Sequence, residues 1–297
     1  AQNLTAAQLS TISNTENWTI PEGSDFTISD TVLANNPGLA FNFSGAGTLS
    51  SGEDTAGASL MSTAINVKST AAGNLKLVGS SADDSFTFQA TESLTADDTI
   101  DGNAGSDTIF LNNNTSSTDG TGNALTGGSQ VTWDSDVKGI EKVVINDLAA
   151  DYAGDVDIAI SDGYTDTSLT IDGSSLDVNS TDESDGEYLK VVSSDTNTAL
   201  TVLGGAARDT ITGGGAADSI VGNGAYDSLT GGAGNDTIEG GAGADTILGG
   251  AGTDNISGGD GNDAINVTTF TDFKTSGGVE TVDGGAGTDS LNFAANA

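Results

Sequence analysis

Between residues 204 and 266 an aspartate recurs at every ninth position: Asp209, Asp218, Asp227, Asp236, Asp245, Asp254 and Asp263. Each follows a glycine-rich pentapeptide and precedes three residues with Ile or Leu at their centre. Glycine-rich turns expose backbone carbonyls, and a carboxylate beside such a turn completes a set of hard oxygen donors. The chain has no His and no Cys, so the nitrogen and sulfur ligands of structural zinc, copper and iron are missing. Ca²⁺ or Mg²⁺ needs only oxygens. Without His there is no Ser-His-Asp triad and no HExxH site, and no GxSxG elbow is present. A pair of carboxylates can cleave glycosides, but among 43 acidic residues spacing singles out no pair. The chain reads as a binding or structural protein and not as an enzyme.

The elements that must position these aspartates are short. From Gly204 the chain runs without a gap as GGAARDTIT, GGGAADSIV, GNGAYDSLT, GGAGNDTIE, GGAGADTIL, GGAGTDNIS and GGDGNDAIN. An eighth copy, GGAGTDSLN, returns at 284–292, a lone copy, GNAGSDTIF, lies at 102–110, and a degraded one, GSSADDSFT, at 79–87. Each copy reads as a tight turn followed by a strand whose central aliphatic residue points inward. One repeat cannot bury its single Ile or Leu, whereas stacked repeats bury a ladder of them, as in a solenoid. A core one side chain thick leaves the ordering of nine backbone residues under-compensated. With no disulfide available, a metal is the cross-link that remains. Two stacked turns together offer about six oxygens, enough for calcium.

Composition narrows the partners. Forty-three acidic residues face seven basic ones, for a net charge of −36. The one arginine, Arg208, and the scattered lysines give no basic patch for nucleic acid or an anionic membrane surface. No apolar run reaches the length of a membrane-spanning helix. Residues 1–22 read as an N-terminal cap or linker, with a short helix over 4–12. Residues 23–203 carry strand-like runs such as Phe26–Ile28, Leu75–Val78, Val143–Ile145, Val156–Ile160 and Leu200–Leu203. They read as an irregular β-solenoid or a small sandwich. Residues 204–297 form the regular roll, with an irregular coil over 267–283 before the last repeat. Trp18 and Trp133 read as cap or core residues, and the acid-rich stretch 147–187 as a solvated face.

The pattern GGxGxDxUx, with U a large aliphatic residue, resembles the RTX (repeats-in-toxin) family. The resemblance implies an all-β fold, a right-handed parallel β-roll with two nonapeptides per coil and Ca²⁺ between turns two repeats apart. It implies that Gly232, Gly234 and Asp236 face Gly249, Ala251 and Asp254. It likewise sets Gly241, Gly243 and Asp245 against Gly258, Asp260 and Asp263. Asp209 would pair with Asp227, Asp218 with Asp236, and Asp227 with Asp245, giving about five Ca²⁺ ions over 204–266. Asp289 of the eighth copy and Asp107 of the lone copy are further candidate ligands. The chain departs from the pattern at Ala207, Ala216 and Ala225, where glycine is usual. Either the sites built on these turns are weaker, or the turns take another shape. The resemblance further implies secretion by the type I route to the exterior of a Gram-negative bacterium. The Thr-, Ser-, Ala- and Asp-rich composition looks like that of RTX-type surface-layer proteins. So do Val137–Val143 and Gly278–Val282, each containing Gly-Ile/Val-Glu. The expected function is a calcium-dependent, self-associating surface-layer protein, forming a lattice or filament. The alternative is a segment of a large adhesin meeting a cell-surface glycan, or the secretion module of an exoprotein.

Overall fold

The computed structural model describes residues 12–15, 17–20, 24–28, 32, 35, 36, 39–43, 47–51, 66–69, 75–89, 98–113, 131–147, 156–176, 188–267 and 280–293. The helix expected over 4–12 and most of the coil 267–283 lie outside these residues. Strands are numbered in chain order. Among the described residues they form three parallel sheets. The longest holds β1 (Asn17–Ile20), β3 (Ala40–Phe43), β5 (Asn66–Ser69), β7 (Ser85–Gln89), β9 (Thr108–Asn113), β12 (Lys142–Asp147), β14 (Ser168–Asp172), β16 (Ala199–Leu203), β18 (Ser219–Gly224), β20 (Thr237–Ala242), β22 (Asn255–Gly261) and β24 (Thr281–Gly287). A second holds β10 (Val131–Trp133), β13 (Val156–Ile160), β15 (Leu189–Ser193), β17 (Thr210–Gly214), β19 (Ser228–Ala233), β21 (Thr246–Ala251), β23 (Ala264–Val267) and β25 (Ser290–Phe293). The third holds β2 (Ser24–Ile28), β4 (Gly47–Ser51), β6 (Leu75–Val78), β8 (Thr99–Asp101) and β11 (Val137–Lys138).

From β12 onward consecutive strands alternate between the longest sheet and the eight-stranded one, and each pairs with the strand two places on. This is an all-β parallel β-solenoid. Its sheets run across residue 204 without a break, since β16 pairs with β18 and β15 with β17. Upstream, the five-stranded sheet takes the place of the eight-stranded one. The handover occurs within one turn, where Trp133 ends β10 and Val137 opens β11. The upstream region is therefore solenoid and not sandwich. Residues 17–20, grouped by sequence with the cap, are its first described strand, and Trp18 packs edge-on against Phe41 at 5.8 Å.

The core differs along the stack. In the repeats the eighth position of each copy buries its aliphatic side chain, Ile211, Ile220, Leu229, Ile238, Ile247, Ile256 and Ile265, and β23 adds Val267 just past the last copy. They stack in register, Ile211 on Leu229 and Ile220 on Ile238. Upstream, β13 alone buries Val156, Ile158 and Ile160, and Phe41, Phe86 and Trp133 are fully enclosed. Trp133 is thus core, as the sequence suggests.

Candidate metal centre

The residue just before each repeat strand is the recurring aspartate, and the parallel register stacks these aspartates into ladders. Asp209 to Asp263 are all buried, none more than 2% exposed. In each ladder one carboxylate oxygen is held by the backbone two repeats earlier. The N–H of Asp209 donates to Asp227 Oδ1 (2.8 Å), Asp218 to Asp236 (2.9 Å) and Asp227 to Asp245 (2.8 Å). Asp236 likewise donates to Asp254 (3.0 Å), and Asp245 to Asp263 (2.9 Å). Asp289 joins across a longer span, accepting from the N–H of Asp263 at 3.1 Å, so the eighth copy continues the same ladder.

The other oxygen has no such partner. Oδ2 of Asp107, Asp218, Asp227, Asp236, Asp245 and Asp263 is buried with no hydrogen bond. An unsatisfied buried carboxylate oxygen is costly and calls for a compensating group. The geometry shows where that group fits. A Cβ on Gly231 would overlap both Asp236 Oδ2 and the carbonyl oxygen of Gly249. Gly240 stands in the same way beside Asp245 Oδ2 and Gly258 O, and Gly258 beside Asp263 Oδ2 and Gly284 O. Each open carboxylate oxygen therefore converges with the first carbonyl of the turn stacked above it. Gly232, Gly234, Gly241 and Gly243 hold positive φ of 112° to 137°, which side chains resist. The turns are also tied directly: Gly234 N–H donates to Ala251 O (2.8 Å) and Gly243 N–H to Asp260 O (2.7 Å). The structure thus brings together Gly232, Gly234 and Asp236 with Gly249, Ala251 and Asp254. It brings together Gly241, Gly243 and Asp245 with Gly258, Asp260 and Asp263. Among the described residues no three carboxylates meet in one cluster. Each turn brings one buried carboxylate, and carbonyls must supply the rest, a donor set that suits calcium.

Asp209 is an exception. Its Oδ2 accepts from its own turn, the N–H of Gly205, at 2.7 Å. Asp84 in the degraded copy does likewise with Ser80 N–H (2.5 Å). In these two turns the second residue lacks positive φ, and its amide turns inward to satisfy the carboxylate. The three alanine turns divide differently, since Gly214 in the Ala216 turn holds positive φ (119°) and Asp218 Oδ2 stays open. Ala225 adopts the left-handed conformation (φ 68°) with Asn223 (φ 78°), while Ala207 and Ala216 do not.

Burial shifts these acids. Desolvation pushes the Asp218 carboxyl up to about 6, the Asp236 carboxyl to about 7 and the Asp227 carboxyl to about 8. Neighbouring carboxylates add to the rise, Asp218 and Asp254 acting on Asp236, and Asp209 and Asp245 on Asp227. A cation at the open oxygens offsets both effects.

Several ladder members carry no repeat signature. Glu141 Oε2 accepts from Asp107 N–H (2.7 Å) and Glu280 Oε2 from Asp254 N–H (3.0 Å). Leu169 and Leu200, in register with each other, fill the ladder position between Glu141 and Asp218. Asp195 is fully buried with Oδ2 unpartnered, beneath the second repeat, where its carbonyl accepts from Gly215 N–H (2.9 Å). Within the acid-rich stretch, Asp157 is paired with Lys190 (3.0 Å), and Asp166 binds the amide of Gly139 (2.6 Å).

Fold and turns together define a parallel β-solenoid with stacked oxygen-lined loops. Residues 94–114, 201–229 and 230–265 each match the family model described as RTX calcium-binding nonapeptide repeat (4 copies). The chain thus carries RTX calcium-binding nonapeptide repeats. No curated protein and no solved structure matches it significantly.

Proposed function

We propose that this is a secreted, non-enzymatic structural protein whose roll folds on binding Ca²⁺ and then self-associates at the cell surface as a surface-layer component. The observation that carries the reading is the row of buried carboxylate oxygens without partners at Asp218, Asp227, Asp236, Asp245 and Asp263. The ligands are one carboxylate from each of two stacked turns, completed by carbonyls of residues such as Gly232, Gly234, Gly249 and Ala251. About five ions occupy 204–266, and the Asp209–Asp227 turn pair is the weakest, because Asp209 is satisfied internally. At tenfold excess over its dissociation constant each ion adds about 1.4 kcal/mol, so a handful decides folding. RTX repeat proteins are typically secreted bacterial proteins, and extracellular calcium fills sites that the cytosol leaves empty. Self-association is supported by the apolar surface at β25, the last strand of its sheet among the described residues, where Leu291 is 43% exposed.

The test is circular dichroism with size-exclusion chromatography over a Ca²⁺ titration. Strand content and large assemblies are expected to rise together and to vanish with chelator. Full folding in EDTA would remove the calcium reading. Folded monomers at millimolar Ca²⁺ would favour an adhesin segment or a secretion module over a surface layer.

A further inference from the structure

We propose that Gly139-Ile140-Glu141 is a compact calcium half-site that closes an ion site with the turn 102–107, away from the seven-repeat block. This rests on the calcium reading of the repeats. Within the lone copy, Asn103 (φ 70°) and Gly105 (φ 136°) hold the positive φ that Gly232 and Gly234 hold in the repeats. Asp107 is fully buried. Its Oδ1 accepts from Asp84 N–H (2.7 Å), and its Oδ2 has no partner. A Cβ on Gly102 would overlap both Asp107 Oδ2 and the carbonyl oxygen of Gly139. This is the convergence found around Gly231, Asp236 and Gly249. Gly139 therefore stands where the first glycine of a partner turn stands.

The partner turn lacks an aspartate because it is too short. Five residues separate Gly102 from Thr108, but only Ile140 and Glu141 separate Gly139 from Lys142, which is in register with Thr108. Three residues are missing, and the longer glutamate side chain makes up the reach. Glu141 Oε2 accepts from Asp107 N–H at 2.7 Å, as Asp245 Oδ1 accepts from Asp227 N–H at 2.8 Å. Ile140 is fully buried, and Asp166 Oδ2 accepts from the amides of Gly139 (2.6 Å) and Ile140 (3.3 Å), fixing the short turn. Glu280 repeats the arrangement. It takes the N–H of Asp254, and Thr281 after it is in register with Asn255. The upstream ion is held by the carboxylates of Asp107 and Glu141, with the carbonyls of Asn103, Gly105 and Gly139.

The test uses the full chain, with calcium stoichiometry from isothermal titration calorimetry and hydrogen exchange with and without Ca²⁺. Glu141→Gln and Asp107→Asn are each expected to lose one ion and the calcium-dependent protection of 98–113 and 137–147. Residues 204–267 should keep theirs and serve as the folding control. Glu141→Asp is expected to behave like Glu141→Gln, since the shorter side chain does not reach. Unchanged stoichiometry and protection in both Glu141→Gln and Asp107→Asn would overturn the site while leaving the repeats' calcium intact. Repeats that ignore Ca²⁺ in the unaltered protein would overturn the calcium reading itself.

Discussion

Asp236 and Asp209 occupy the same repeat position, yet their carboxylates are satisfied differently. Asp236 leaves Oδ2 open toward Gly249 O, whereas Asp209 spends Oδ2 on the amide of Gly205. Asp236→Asn removes a carboxylate that the proposed calcium sites share between two turn pairs. It is expected to raise the Ca²⁺ midpoint of folding about tenfold or more, roughly 1.4 kcal/mol, read by circular dichroism. Asp209→Asn is expected to move that midpoint several-fold less. Glycine is equally particular to its place. Gly243 sits at φ 137°, and a Cβ there would collide with the carbonyl oxygen of Ala225. Gly243→Ala is expected to destabilise the calcium-loaded roll by about 1–3 kcal/mol, seen as a lower melting temperature. The opposite change, Ala225→Gly, relieves a left-handed alanine and is expected to stabilise it by about 1 kcal/mol. The same melt checks it.

At the level of turn and strand, the carboxylate ladder makes the metal-free roll sensitive to pH. Burial raises Asp218, Asp236 and Asp227 to about 6, 7 and 8, above their unfolded values. A group raised in the folded state supports folding most fully below its unfolded value. That support is lost as pH climbs through the folded one. Calcium needs the carboxylates ionised, so its affinity should run the other way. In EDTA, strand content is expected to be higher at about pH 5.5 than at about pH 8. With calcium present, the midpoint concentration is expected to fall over that window. A chelated sample with the same spectrum at both values would contradict the ladder's burial. Where Leu169 and Leu200 replace the acid, the strands lose this dependence and rely on packing.

The molecule as a whole therefore combines two ways of holding coils together. Upstream strands bury three apolar residues each at best, as in β13, and carry cross-strand ion pairs between Lys138 and Asp101 (2.7 Å) and between Lys190 and Asp157 (3.0 Å). The repeats bury one large aliphatic residue each and a column of acid. Chelation is expected to strip hydrogen-exchange protection from 204–267 first, while 156–176 and 188–203 retain more. Uniform loss along the chain would show instead that the stack unfolds as one cooperative unit.

The repeat phase by itself determined the ladder. Nine-residue spacing with a fixed Asp and an Ile or Leu two residues on dictates equal coils, and equal coils place like residues over like, as Asp236 over Asp218 and Ile238 over Ile220. Glycine content then set which positions could bend. The tertiary structure alone decided what happens where the coils are unequal. Spacings of 23 and 34 residues separate Asp84, Asp107 and Glu141, so no periodicity connects them, and only the β7–β9–β12 register brings them into one column. Nor does sequence distinguish Asp209 from its copies, because the difference is the direction in which one amide, that of Gly205, points. Repetition is a local property that a chain displays openly, whereas a contact across an irregular insertion depends on how much chain the fold loops out before closing the next coil.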